Sequence, residues 1–176
     1  MTVRIICADH VRAALDYDLA TGIFRWRGGR GRCGPVAPGS IAGRIASNGY
    51  VEITIQKRHY GAHRLAWLYV HGRWPEGTID HRDGVKTNNW IDNLREATEA
   101  QNRANIERHG RNTSGHKGVH YSQRDKRWIA KISVSGKLIQ LGRFKDKASA
   151  ISAYRDGALR YHGAFSSLAR NPEVRP

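Results

Sequence analysis

Cysteine is scarce in this 176-residue chain, which has two, Cys7 and Cys33. That is too few for a disulfide framework or a four-cysteine zinc site. No apolar run approaches the ~20 residues of a membrane span, and the apolar stretch after Met1 is too short and interrupted for a secretory signal. Carboxylates are also in short supply, with 15 Asp+Glu against 30 Lys+Arg and a formal charge of +15. These shortages exclude a secreted disulfide scaffold and a membrane-spanning protein, and point to a soluble protein of a reducing, cytoplasmic compartment. What is present is 39% hydrophobic residues, with five tryptophans and seven tyrosines. That suffices for modest cores and argues against wholesale disorder. The length suits one mid-sized domain or two small ones. The cationic surplus implies a polyanionic partner, nucleic acid or an anionic membrane surface. The membrane surface fails, because no helix joins a basic face to a large apolar one.

The stretch His109-Gly110-Arg111-Asn112-Thr113-Ser114-Gly115 reads as a linker or long loop. Before it, residues 1–113 carry 17 basic and 11 acidic side chains, a net of +6; residues 114–176 carry 13 and 4, a net of +9. Seven of the eleven carboxylates in the first part fall between Glu76 and Glu107. Such clustering in a basic protein fits either a cation site or a solvated loop. Upstream, Ile23–Arg27 predicts a short strand with Phe24 and Trp26 on one face, and Gly49–Ile55 alternates as a second. The glycine-arginine run Gly28–Gly34 between them is either a loose connection or a phosphate-contacting arm. His63–His71 predicts a mostly buried helix stopped by Gly72, with His63 read as structural in preference to lying near the next site.

Chemistry concentrates further on. Ile79-Asp80-His81 ends one strand, an Asx/Gly-rich loop follows, and Asn93-Leu94-Arg95 returns as a second. Thr98-Glu99-Ala100-Gln101 fits a capping box, so a helix starts at Thr98 and carries Asn102 in its first turn. This β-β-α unit brings an acid, an imidazole and an amide towards one point, which suits metal-assisted phosphodiester hydrolysis. A hard cation such as Mg²⁺ takes one or two protein carboxylates, several waters and substrate phosphate oxygens. Asp80 offers a charged oxygen and Asn102 a neutral one, while the His81 imidazole can take a proton from water near pH 7. Asn93 can tie the two arms of the loop through its side-chain amide.

The segment HRLAW…GTIDHRDGVKTNNWIDNLREATEAQN closely resembles the HNH endonucleases, in particular the phage- and intron-encoded homing type. The resemblance covers roughly residues 12–108. It implies metal ligation by Asp80 and Asn102, general-base action by His81 and a structural part for Asn93. The cofactor implied is Mg²⁺ or Mn²⁺. Cysteine pairs that brace many HNH folds with zinc are lacking, so no structural zinc is expected.

The second half predicts three strands, Gly118–Ser122, Arg127–Ser133 and Leu138–Gly142, then a helix from the N-cap Asp146 to about Tyr161. Trp128, Ala130, Ile132, Ile139 and Leu141 would face the helix, with Ile151, Tyr154, Ala158 and Tyr161 on its facing stripe. Arg127, Ile129, Lys131, Ser133, Leu138 and Gln140 would lie opposite. The segment GVHYSQRDKRWIAKI…LGRF…ASAISAYRDGALRYHG is similar to AP2 DNA-binding domains over residues 114–170. That similarity implies a free sheet face in the major groove, presenting His120, Ser122, Arg127, Lys131, Ser133 and Gln140. Arg124, Lys126, Lys137 and Arg143 would contact phosphates.

The expected fold is therefore α+β. An N-terminal β region leads into a ββα-metal nuclease unit (1–110), a linker follows (111–117), and a three-stranded antiparallel sheet on one helix closes the chain (118–170). The expected function is a metal-dependent, site-specific DNA endonuclease of phage or bacterial origin, acting on double-stranded DNA in the host cytoplasm. One site per chain and no dimer stripe favour a monomer that nicks. The rivals are a non-catalytic DNA-binding regulator built on an inert HNH scaffold and, from composition alone, an RNA-directed protein.

Overall fold

The computed structural model describes residues 6–31, 34–105 and 113–166. Contacts divide the chain into two compact units, Met1–Glu96 and Ala97–Pro176. This division falls earlier than the linker expected at 111–117, and the helix that opens after Thr98 goes with the second unit.

The first unit begins with α1 (Ala8–Ala14), β1 (Leu15–Tyr17) and β2 (Phe24–Trp26), then a ladder of β3 (Gly29–Gly31) with β4 (Gly34–Val36). The glycine-arginine run thus contributes backbone to an antiparallel pair, Gly29 opposite Val36; residues 32 and 33 lie outside the described residues. Next come β5 (Arg44–Ile45), β6 (Val51–Ile55) and β7 (Arg58–Gly61), an antiparallel three-stranded sheet, and α2 (Ala62–His71). The strand β8 (Thr78–His81) pairs with β9 (Leu94–Ala97), and a 3-10 turn, Ile91–Asn93, precedes β9.

Period-two patterning buries Ile53 and Ile55 of β6 while Thr54 faces out. On α2, helical spacing buries Leu65, Ala66 and Leu68, and the helix stops where Gly72 adopts φ 72° and donates to the Leu68 carbonyl at 3.0 Å. Val11, Leu15, Ile53, Leu65 and Leu68 form the fully enclosed centre, and each contributes about 1.5–3 kcal/mol by leaving water. Phe24 is buried as its alternation predicts, Trp26 half-buried, and Tyr17 packs on Phe24 with ring centroids 4.7 Å apart.

The second unit contains α3 (Glu99–Asn105), then an antiparallel sheet ordered β10 (Val119–Ser122), β11 (Arg127–Val134), β12 (Lys137–Phe144), and α4 (Lys147–His162). The expected capping box is formed: Thr98 N–H donates to Gln101 Oε1 at 2.8 Å and Gln101 N–H to Thr98 Oγ1 at 3.2 Å. Asp146 caps α4, accepting from Ser149 N–H at 2.7 Å. Val119, Ala130 and Ile132 of the sheet cluster with Ala150, Tyr154 and Ala158 of the helix.

Two expectations need correction. Ile129, expected on the open face, is buried. It sits mid-sheet between its cross-strand neighbours His120 and Arg143, whose longer side chains cover it. Tyr161, expected on the buried stripe, is exposed. Its neighbours on that stripe, Tyr154, Gly157 and Ala158, are buried, and Gly157 lets the helix come close, a Cβ there lying 2.7 Å from Leu141 Cδ1, whereas Tyr161 stands in the last turn. Between Ala130 and Lys131 the register with β12 slips, pairing Ala130 with Gly142 but Lys131 with Gln140. The resulting bulge puts Gln140 and Arg143 on the same face.

The loop that carries the chemistry rests on a bare backbone position. Gly22 has φ 72°, and a Cβ there would stand 2.2 Å from the Trp90 nitrogen. Gly22→Ala combines a left-handed non-glycine residue with a backbone collision. It is expected to lower unfolding free energy by at least about 2 kcal/mol, measured by urea denaturation.

Candidate functional site

β8 is buried along most of its length, which is unusual for a strand ending in Asp80 and His81; both are 4% exposed. Buried polar groups need partners, and each has one. Asp80 Oδ2 accepts from Arg95 Nε at 2.9 Å and lies 2.8 Å from its Nη2. Arg95 itself is nearly enclosed on β9. The two strands thus pair a carboxylate with a guanidinium inside the fold.

The His81 imidazole turns another way. Its Nε2 lies 3.2 Å from Asn89 Oδ1. The Asn89 amide is oriented by its other end, Nδ2 donating to the Thr87 carbonyl at 3.2 Å, and its main chain is held by the Tyr17 hydroxyl at 2.7 Å. With Oδ1 as acceptor, Nε2 carries a proton. Burial pushes the Tyr17 phenol far above its ordinary value, so it acts only as a donor here.

Asn93 closes the loop. Its Oδ1 accepts from Asp83 N–H at 3.0 Å, while Nδ2 donates to Asp83 Oδ1 at 2.9 Å and to the Asn88 carbonyl at 2.8 Å. The amide therefore braces both arms, as the sequence implied. Burial raises the Asp83 carboxyl, but bonds from Asn88, Val85 and Asn93 outweigh it and hold the group below the usual range.

Two aromatic neighbours complete the site. His63 stands 5.5 Å from His81 and 5.0 Å from Tyr50, centroid to centroid, and Tyr50 lies 5.8 Å from His81. His63 is thus half-buried and beside the site. Its Nδ1 is buried without a hydrogen-bond partner among the described residues. Burial, then the adjacent His81 and Arg64, pull the imidazole down from 6.5 to about 4, so it is neutral at physiological pH. Burial and then the Asp80 charge push the Tyr50 phenol up.

The sequence singled out Asp80, His81 and Asn93, all buried here, but not Arg95, Asn89 and Tyr50, which contact Asp80 or His81. A buried Asp80 demands a counter-charge, and Arg95 on the returning strand was the available signal; nothing in the sequence separated Asn89 from Asn88. Asn102 lies half-buried on α3, in the second unit, its N–H bonded to the Thr98 carbonyl at 2.9 Å. No cluster of three or more His, Cys, Asp or Glu able to hold a metal occurs among the described residues. A hard cation needs only one or two protein carboxylates.

In the second unit, cross-strand pairing puts His120, Arg127, Lys131, Ser133, Gln140 and Arg143 on one face. All but the half-buried Lys131 are exposed. Ser122 is committed to its turn, donating to Asp125 Oδ2 at 3.1 Å and accepting from Asp125 N–H at 3.2 Å. Arg143 approaches the same carboxylate at 3.6 Å. Arg124 and Lys126 lie exposed in the β10–β11 turn, Lys126 at φ 48°, and Lys137 opens β12.

Residues 60–104 match the HNH endonuclease family model. The chain is also 31% identical to protein 3.8 of Escherichia phage T7 over 105 residues, which is 59% of this chain and 86% of that protein. The chain belongs to the phage T7 protein 3.8 family and carries an HNH endonuclease domain. No solved structure matches it. The HNH domain suggests DNA endonuclease activity and implies DNA binding, and HNH nucleases generally use divalent metal ions. No helix among the described residues is long and apolar enough to cross a membrane.

Two outcomes follow from the HNH site's burial. Arg95→Met strips a buried carboxylate of its partner and is expected to cost about 3–5 kcal/mol, whereas Asp80→Leu/Arg95→Met regains most of that stability; urea denaturation of both checks it. His63 binds a proton at pH 6.5 when unfolded but only near 4 when folded. The unfolded chain therefore gains protons first, and His63's contribution, intact above 6.5, is lost as pH falls towards 4, by about 3 kcal/mol in all. The difference between native and His63→Phe stability curves is expected to show that loss over this window.

Proposed function

We propose that the protein is a metal-dependent, site-specific DNA endonuclease of the HNH homing type, nicking one strand of duplex DNA as a monomer. The single observation that carries this reading is the oriented imidazole of His81, held through Nε2 by Asn89 next to Asp80 within the HNH domain. His81 takes the proton of the attacking water, its ring held in place through Nε2 by Asn89. Asp80 and Asn102 would hold Mg²⁺ or Mn²⁺, which supplies charge neutralisation at the phosphate and leaving oxygen. Asn93 acts at a distance, fixing the loop from which Asn89 reaches His81. Tyr50 and His63 exclude water from one side of the imidazole.

In the same reading, residues 118–170 form an AP2-like module that places the nuclease on DNA. His120, Arg127, Lys131, Ser133 and Gln140 meet base edges, and Arg124, Lys126, Lys137 and Arg143 meet phosphates. Ser122, already bonded to Asp125, contributes through its turn. The net charge of +9 in residues 114–176 supports a dominant share of the salt-sensitive affinity.

One feature favours a second reading, a DNA-binding regulator on an inert scaffold: Asp80 is already neutralised by Arg95. The two readings separate on one comparison. On the nuclease reading, the native chain nicks supercoiled plasmid in Mg²⁺ or Mn²⁺, and His81→Ala slows this by at least about 10²-fold with DNA binding retained. Relaxation by His81→Ala at the native rate removes His81 as base. Salt-sensitive binding by the native chain with no nicking in either metal establishes the regulator.

A further inference from the structure

Lys86 lies in the most carboxylate-rich part of the chain, yet its ammonium has no carboxylate partner among the described residues. Its contacts are a carbonyl and an aromatic face: Nζ donates to the Asn48 carbonyl at 2.8 Å and stands 4.8 Å from the centroid of the Tyr50 ring. The acid of its own loop, Asp83, is exposed but already engaged by Asn88, Val85 and Asn93. An ammonium has three donors, and the carbonyl occupies one.

The stem is guided as well as the head. Gly49 leaves room for it, since a Cβ there would meet Lys86 Cδ at 3.4 Å. The platform beneath the ammonium is the same Tyr50 ring that lies 5.8 Å from His81. One ring therefore neighbours both the cation and the imidazole. Arg82, next to His81 in the chain, is exposed too, so the rim of this loop carries two exposed cations.

A lysine that only strapped the 82–90 loop to the 46–50 turn would need a hydrogen bond, which a neutral donor supplies equally well. A positive charge left without a counter-ion beside an imidazole is suited to an anion that arrives from outside. Lysine serves this end as a compact, strongly hydrated point charge on a flexible four-carbon stem.

We propose that Lys86 is a phosphate-holding residue of the site, its ammonium lifting from the Asn48 carbonyl to a backbone phosphate of the bound DNA strand beside His81. This rests on the nuclease reading for its place next to the reacting phosphate. The contact involves no covalent step: the phosphate exchanges a condensed counter-ion for the ammonium, and Tyr50 continues to face the cation.

The test uses the full chain with Lys86→Met, which keeps the stem, and Lys86→Arg, which keeps the charge. Binding to a labelled duplex is measured by anisotropy over a salt series without divalent metal, alongside thermal melting. Lys86→Met is expected to reduce the slope of log K against log salt by about 0.9, one phosphate contact. Lys86→Arg should restore the slope, and both variants should melt as the native chain does. An unchanged slope in Lys86→Met overturns the proposal, and so does a lowered melting temperature with the slope intact, the signature of a strap. If Lys86→Met loses the slope while the native chain cuts no DNA, the phosphate contact stands and the nuclease reading falls.

Discussion

Burying an acid and an imidazole side by side at the end of β8 is the constraint to which the first unit is built. Neither group can be taken out of water without a partner, and no single neighbour serves both. Asp80 draws Arg95 from the returning strand, which fixes how β9 lies against β8. His81 draws Asn89 from the intervening loop, which requires that loop to bend inward. The bend in turn needs Asn93 to gather the loose ends, and a glycine at position 22 so that the main chain at 89–90 can come close. Remove the two polar residues from β8 and most of these features lose their reason.

The sequence revealed the elements whose logic is local. The alternation of Gly49–Ile55, the stop at Gly72, the capping box at Thr98 and the cap at Asp146 each depend on residues within a few positions, and each has its counterpart in the structure. The same holds for Asp80, His81 and Asn93, because their spacing forms a pattern. Arg95 and Asn89 were hidden for a different reason. Arginine on a strand and asparagine in an asparagine-rich loop are ordinary as residues, and only burial makes them indispensable. Ile129 and Tyr161 show the complementary failure. Periodicity assigns a face, but whether a face is covered depends on the length of neighbouring side chains and on where along the helix a residue falls, Tyr161 standing in the last turn of α4.

The second unit solves a simpler problem by similar means. Its core is small, with alanines and one tyrosine on α4 meeting valine, alanine and isoleucine on the sheet. Small residues let helix and sheet come close, so the long cationic side chains are left to the other face. The bulge beside Lys131 adds one register step on β12 and thereby brings Arg143 to the face that already holds Leu138 and Gln140. A pleated ribbon without it would have turned either Gln140 or Arg143 towards the helix.

The bond from the Tyr17 hydroxyl to the Asn89 carbonyl joins residues 72 positions apart, and the indole of Trp74 reaches back 68 positions to Ile6. Loop closures of that span are slow and come late, because chain entropy is lost before the contact repays it. During synthesis the strand bearing Tyr17 must therefore wait for the Asn89 loop to emerge, and until the two meet the main chain at Asn89 lacks that anchor. The site is assembled last of all, from the two ends of its own unit, so a partly made chain carries the residues of the site without their order.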